Sequence, residues 1–168
     1  MAYLLDANTL IQAKNEYYGF DLCPGFWAWL EQENAGGEVF SIDRIQQELE
    51  NGNDALAKWA TAQGNGFFQP VDEQTNQAMA AVVTWVQSRN FTDNAKREFF
   101  SCADPFLIAH ALAHGQTVAT HEVHVEGERK KVKIPTVCRG LNVPCVRTFD
   151  MLRQKHASFV LAQNHPAA

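Results

Sequence analysis

The sequence lacks a long hydrophobic run. No apolar stretch approaches the ~18 residues of a membrane-crossing helix, so no membrane span is expected. It also lacks an excess of positive charge. Lys and Arg number 14 against 19 Asp and Glu, a net charge of -5, so no overall cationic field recruits nucleic acid. A polyanionic partner must be held locally, by metal ions or by a basic patch. The four cysteines, Cys23, Cys102, Cys138 and Cys145, form no CxxC pair. The opening MAYLLDANTL has no basic segment and meets a charge at Asp6, so it does not read as a secretory signal. Reduced thiols and a cytoplasmic location are the expectation. Neither GxxxxGK[ST] nor GxGxxG is present, which leaves a nucleotide-cofactor enzyme without a foothold. Internal repeats, linkers and low-complexity segments are missing too.

What is present suits a globular domain. With 168 residues and 46% hydrophobic content, the chain can build one core and not two. We expect one domain over residues 1–163 and a frayed tail at 164–168. Tyr3 to Leu5 reads as a buried strand ending at Asp6, with Asn8 and Thr9 offering a cap for a helix over LIQAKNEYY. Helices are expected over FWAWL, over the stripe Ile42, Ile45 and Leu49, around Leu56 and Trp59, and from Asp72 to about Arg89. Asp104-Pro105 starts another and Gly115 ends it. Strands are expected at Val39-Phe40, Thr117–Thr120 and Cys145–Arg147, with a short extended piece at Phe67–Pro70. A charged hairpin or loop, EGERKKVK, precedes Ile134, and Thr148 is placed to cap a last helix reaching about Ala162. This alternation argues for an α/β sandwich on a mostly parallel sheet.

Four acidic residues stand out against that frame. Asp6 closes the first strand, Asp104 opens a helix, Glu122 follows the strand TVAT, and Glu48 lies on a helix flank. In a parallel sheet, ligands gather beyond the carboxyl ends of the strands. Glu48 falls about 90° from its helix's apolar stripe, at 100° per residue, so it can border a cleft. Glu50 falls on the other flank. Singly, Asp104 is an ordinary dipole partner, Glu48 a solvated helix position and Glu122 a loop residue. Asp6 is harder to dismiss, because a charge closing an apolar strand is costly unless paired or metal-bound. Carboxylates so far apart in sequence share one economical task, holding Mg²⁺ or Mn²⁺ through oxygen.

LLDANTLI, IQQELE, ADPFLIAHA and VATHE together resemble the motifs of PIN-domain metal-dependent nucleases, over nearly the whole chain. Within that family the chain looks like the bacterial VapC-type toxin branch, extended by FWAWL and ERKKVK. The fourth site is often aspartate in the family and is Glu122 here. The resemblance implies a three-layer α/β/α sandwich and a metal-dependent endoribonuclease cutting RNA. It implies the toxin of a type II toxin–antitoxin pair, with an antitoxin from an adjacent gene and a possible homodimer. Asp6, Asp104 and Glu122 are then metal ligands, and Glu48 a further ligand or the group that orients water. Asn8 and Thr120 would steady the carboxylates. Alternatives from other classes are a non-catalytic PIN-like binding module and a haloacid-dehalogenase-like phosphatase. The phosphatase wants aspartate where Asn8 stands.

Arg129, Lys130, Lys131 and Lys133 form the one dense basic cluster, suited to RNA phosphate or simply to solvent. Trp27, Trp29, Trp59 and Trp85 at helical spacing read as core before base-stacking. Phe99 and Phe100 fit a dimer interface or burial equally. His121-Glu122-Val123-His124 is one residue short of HExxH, and His121, His124 and Cys138 lack structural-zinc spacing.

Overall fold

The structure is a computed structural model that describes residues 1–161. Five strands form one sheet in the order β3-β2-β1-β4-β5: β1 (Tyr3–Leu5), β2 (Val39–Ile42), β3 (Phe68–Gln69), β4 (Thr117–Thr120) and β5 (Cys145–Arg147). Every pairing is parallel, with Leu5 opposite Ala119 and Thr120 opposite Arg147. All residues of β1 and β4 are buried. Side chains alternate between the two faces of a strand, so helices must cover both faces. The expected three-layer sandwich is present, and its sheet is wholly parallel.

The helices are α1 (Ala7–Gln12), α2 (Pro24–Ala35), α3 (Asp43–Glu50), α4 (Ala55–Phe67), α5 (Glu73–Gln87), α6 (Asp93–Phe100), α7 (Asp104–His114), α8 (Ile134–Gly140) and α9 (Thr148–Gln154). A π-helical turn, Ala13–Tyr17, continues α1. Gly115, at φ 65, ends α7 in the left-handed region that glycine enters without a Cβ penalty.

Several boundaries differ from expectation. Asp6 (φ -70, ψ 152) is the last extended residue before α1, so Asn8 and Thr9 lie inside the helix and cap nothing. Thr9 instead donates its hydroxyl to the Ala119 carbonyl at 3.2 Å. Likewise Arg147 precedes α9, which stops at Gln154 because Lys155 and the left-handed His156 (φ 53) turn the chain. The segment EGERKKVK is a loop without strand pairing. Helices α6 and α8 were not foreseen. The expected tail at 164–168 lies outside the described residues. Trp27 and Trp59 are buried, Trp29 and Trp85 pack against the core, and Phe99 is buried beside Phe100. Among the described residues no helix is long and apolar enough to cross a membrane.

Candidate active site

The strand order makes one crevice inevitable. From β1 the chain crosses to β2 on one side, while β4 arrives on the other side of β1. Connections therefore leave in opposite directions at the carboxyl ends of β1 and β4, and the gap between them is where α/β proteins bind ligands. Asp6 follows β1 directly, and Glu122 lies two residues beyond β4. Helix α7 leads into β4 and runs antiparallel to it, which puts its first residue, Asp104, at the same edge.

Asp6 is fully buried. Its Oδ2 accepts the Thr120 hydroxyl at 2.8 Å, and Thr120 Oγ1 in turn accepts the Glu122 N–H at 3.1 Å. The backbone N–H of Asn8 also supports the Asp6 carboxylate, while the Asn8 residue is exposed. Asp6 Oδ1 is buried and has no hydrogen-bond partner among the described residues. A carboxylate so placed loses hydration without replacement, which favours its neutral form. Burial first, then the charge of Asp104, and then that of Glu122 push the Asp6 pKa up to about 7, against the hydrogen bond from Thr120. Burial and then Glu122, with a smaller push from Glu48, raise Asp104 to about 6, while Cys102 and Lys131 oppose the rise. The Cys102 thiol, half-buried beside Asp104, is pushed up to about 12 and serves as a neutral neighbour that donates to the Phe99 carbonyl at 3.2 Å.

Glu122 is already engaged. Lys131 Nζ lies 2.8 Å from its Oε1, and the Ile134 N–H donates to its Oε2 at 2.8 Å. Glu48 accepts the Ala103 N–H at 2.7 Å, so it fixes the peptide that carries Asp104 into α7. The four acids thus meet at one end of the sheet and feel one another's charge. Their donor atoms are nevertheless spread. Among the described residues, the group of three or more whose potential ligand atoms all lie within 4.8 Å is Asp72, His110 and His114, away from this crevice.

The basic cluster divides. Arg129 ties its loop to Asn90 through Nε to the carbonyl at 2.8 Å and a terminal nitrogen to Oδ1 at 2.9 Å. Lys133 donates to the Val123 carbonyl at 3.3 Å, and Lys130 is exposed. Lys131 alone faces the acids, on a cavity of about 180 Å³ that Asp104, Cys102 and Phe99 also line. Arg44 escaped the sequence reading. It lies over the Phe106 ring at 4.9 Å and lines a larger hollow of about 360 Å³ with Glu48, Gln47 and Asn51. The available signal was its position four residues before Glu48, on the same helix face. His121, His124 and Cys138 do not converge. His121 stacks on Tyr17, His124 bonds Thr136 and Glu126, and the free thiol of Cys138 lies beside that of Cys145.

Comparison with known proteins supports this architecture. No curated protein matches the sequence. A chain of VapBC2 from Rickettsia felis, solved bound to a promoter DNA fragment, is similar with a TM-score of 0.56 at 14% identity, covering 88% of this chain and 98% of that one. FitAcB from Neisseria gonorrhoeae gives 0.50 at 18% identity, covering 85% and 95%. FitAB bound to an IR36 DNA fragment gives 0.52 at 15% identity, covering 97% and 99%. At these identities the likeness is one of fold, and it bears out the expected three-layer α/β architecture. A family model described as a domain of unknown function (DUF4411) matches residues 3–159, and the chain belongs to that family.

Proposed function

We propose that the protein is a divalent-metal-dependent endoribonuclease that hydrolyses RNA phosphodiester bonds, and that it is the toxin of a type II toxin–antitoxin pair. The observation that carries this reading is the Asp6 carboxylate, fully buried at the sheet's switch point, with one oxygen lacking a donor among the described residues. Such a carboxylate, close enough to Asp104 and Glu122 for their charges to act on it, fits a hard cation such as Mg²⁺ or Mn²⁺, since the set is all oxygen and net negative. Asp6, Asp104 and Glu122 would hold the ion. Bound there, the ion supplies a more acidic water and offsets charge on the phosphate and the leaving oxygen.

The chain's own groups do the rest. Thr120 fixes the Asp6 rotamer and, through its contact with the Glu122 N–H, the start of the loop beyond β4. Glu48 sets the entry of α7, so that Asp104 points from a fixed peptide, and its carboxylate can also orient the attacking water. Lys131, on the cavity wall beside Glu122, is placed to meet a phosphate oxygen when RNA enters, with Arg44 and Lys130 as cations further out. With a net charge of -5, substrate capture depends on these few cations and on the metal. The likeness to VapBC2 and FitAB, both solved with a DNA fragment, supports a partner antitoxin. Incubation of labelled RNA with the purified chain tests the reading: cleavage with Mn²⁺ that stops on chelation supports it, and cleavage unaffected by chelator refutes it.

A further inference from the structure

Far along α7 from Asp104, a second set of ligating side chains comes together. His110 and His114 are four residues apart on α7, so they share one face, with ring centroids 4.4 Å apart. Asp72, the residue before α5, faces them: its Oδ2 lies 3.0 Å from His114 Nε2. Ligand atoms of the three residues all lie within 4.8 Å of one another. Two imidazoles and a carboxylate at this spacing are a donor set for a borderline transition ion, not for Mg²⁺.

The surroundings are those of a prepared site. His110 is 3% exposed, and both of its nitrogens are held. Nε2 bonds Gln69 Oε1 at 2.9 Å, and that oxygen also accepts from Gln116 Nε2 at 3.2 Å. An oxygen that only accepts requires the hydrogen on Nε2, which leaves a lone pair on Nδ1 of the neutral ring. A metal-binding histidine is oriented in this way, by an acceptor on its far nitrogen. Nδ1 faces Thr75 Oγ1 at 2.8 Å, and that hydroxyl lies 2.7 Å from Asp72 Oδ1. Asp72 Oδ1 also accepts the Thr75 N–H at 2.8 Å, so the Thr75 hydroxyl hydrogen can turn to either neighbour. A cation at Nδ1 would take the place of that hydrogen and leave it to Asp72. Asp43 adds negative charge nearby, and its own Oδ1 is buried without a partner. Asp72 and His114 are open to solvent, which gives an ion a way in and lets the outer two ligands close on it.

We propose that Asp72, His110 and His114 form a second metal site, for an imidazole-preferring divalent ion such as Zn²⁺, that clamps the start of α5 to the end of α7. It is independent of the acidic crevice and of the nuclease reading. The probes are Zn²⁺ and Co²⁺ added to the purified full chain at pH 7.5, with Asp6→Asn, His114→Ala and Asp72→Asn as variants. One equivalent of Co²⁺ should bind with visible ligand-field absorption in wild type and in Asp6→Asn, and this signal should vanish in His114→Ala. Zn²⁺ should raise the melting temperature of Asp6→Asn, in which the acidic crevice has lost a ligand, but not of the double variant Asp6→Asn with His114→Ala. Asp72→Asn should weaken Co²⁺ binding by about tenfold or more. His114 is on the surface, so its variant should fold, which circular dichroism without metal checks. A Co²⁺ signal equal in wild type and His114→Ala, or lost in Asp6→Asn, would overturn the proposal, as would no binding at all.

Discussion

Thr120 donates its hydroxyl to Asp6 Oδ2 at 2.8 Å, joining the ends of two neighbouring strands at their carboxyl edge. Both residues are completely buried, so neither can exchange this bond for water. Thr120→Val keeps the shape and removes the donor. It should cost about 1–3 kcal/mol of stability as a buried acceptor loses its partner. It should also weaken Mn²⁺ binding by about 10-fold to 100-fold, because the Asp6 rotamer is freed. Urea unfolding and calorimetric titration read the two effects.

The raised proton affinity of Asp6 has a signed consequence. Its folded pKa of about 7 lies above the ordinary 3.8, so the folded chain binds more protons than the unfolded chain between those values. Its contribution to stability is present below about pH 4 and is lost as pH rises through 7. Metal-free wild type should therefore lose stability relative to Asp6→Asn between pH 5 and pH 7.5, by on the order of 3 kcal/mol. Saturating Mn²⁺ should remove most of the loss for wild type only. Chemical denaturation of both proteins at pH 5 and pH 7.5, with chelator and with Mn²⁺, measures it.

Glu48 separates charge from hydrogen bonding. Its Oε1 accepts the Ala103 N–H at 2.7 Å. Glu48→Gln retains an acceptor and should leave stability within about 1 kcal/mol, whereas Glu48→Ala orphans the N–H and should cost about 1–3 kcal/mol. If the Glu48 charge also serves the reaction, both variants should lose RNA cleavage by about 10-fold to 100-fold. Loss in Glu48→Ala alone would confine Glu48 to positioning α7.

The strand ends were legible because local signals agree there. Apolar runs, the Asp104-Pro105 start and Gly115 mark β1, β4 and α7 without tertiary help, and with them the edge that gathers Asp6, Asp104 and Glu122. Helix α8 was not legible. IPTVCRG combines proline, β-branched residues and glycine, poor helix formers, and its helical form rests on burying Ile134, Val137 and Cys138. Helix α6 did carry a signal, Thr92, whose hydroxyl accepts the Ala95 N–H at 3.2 Å. The bond from Ala103 to Glu48 spans 55 residues and leaves no local trace. The split of the basic cluster was hidden for the same reason: Asn90, the partner of Arg129, is 39 residues away.

Lys131 is more than half exposed, so its pair with Glu122 contributes little to stability, about 1 kcal/mol or less. Lys131→Ala should leave the melting temperature nearly unchanged. It should weaken RNA binding and make the salt dependence of that binding shallower by about one unit of slope, as one phosphate contact is lost. Filter binding across a salt series tests it, and an unchanged slope would remove Lys131 from the RNA path.

The most direct measurement is the rate of RNA cleavage by wild type and Asp6→Asn with saturating Mn²⁺ at pH 7.5. The substitution retains the side-chain shape and the acceptor for Thr120 while removing the ligand charge. The rate should fall on the order of 100-fold or more, from loss of several kcal/mol of transition-state stabilisation, with circular dichroism unchanged. Equal cleavage by the two proteins would show that the crevice between β1 and β4 is not where the chain acts.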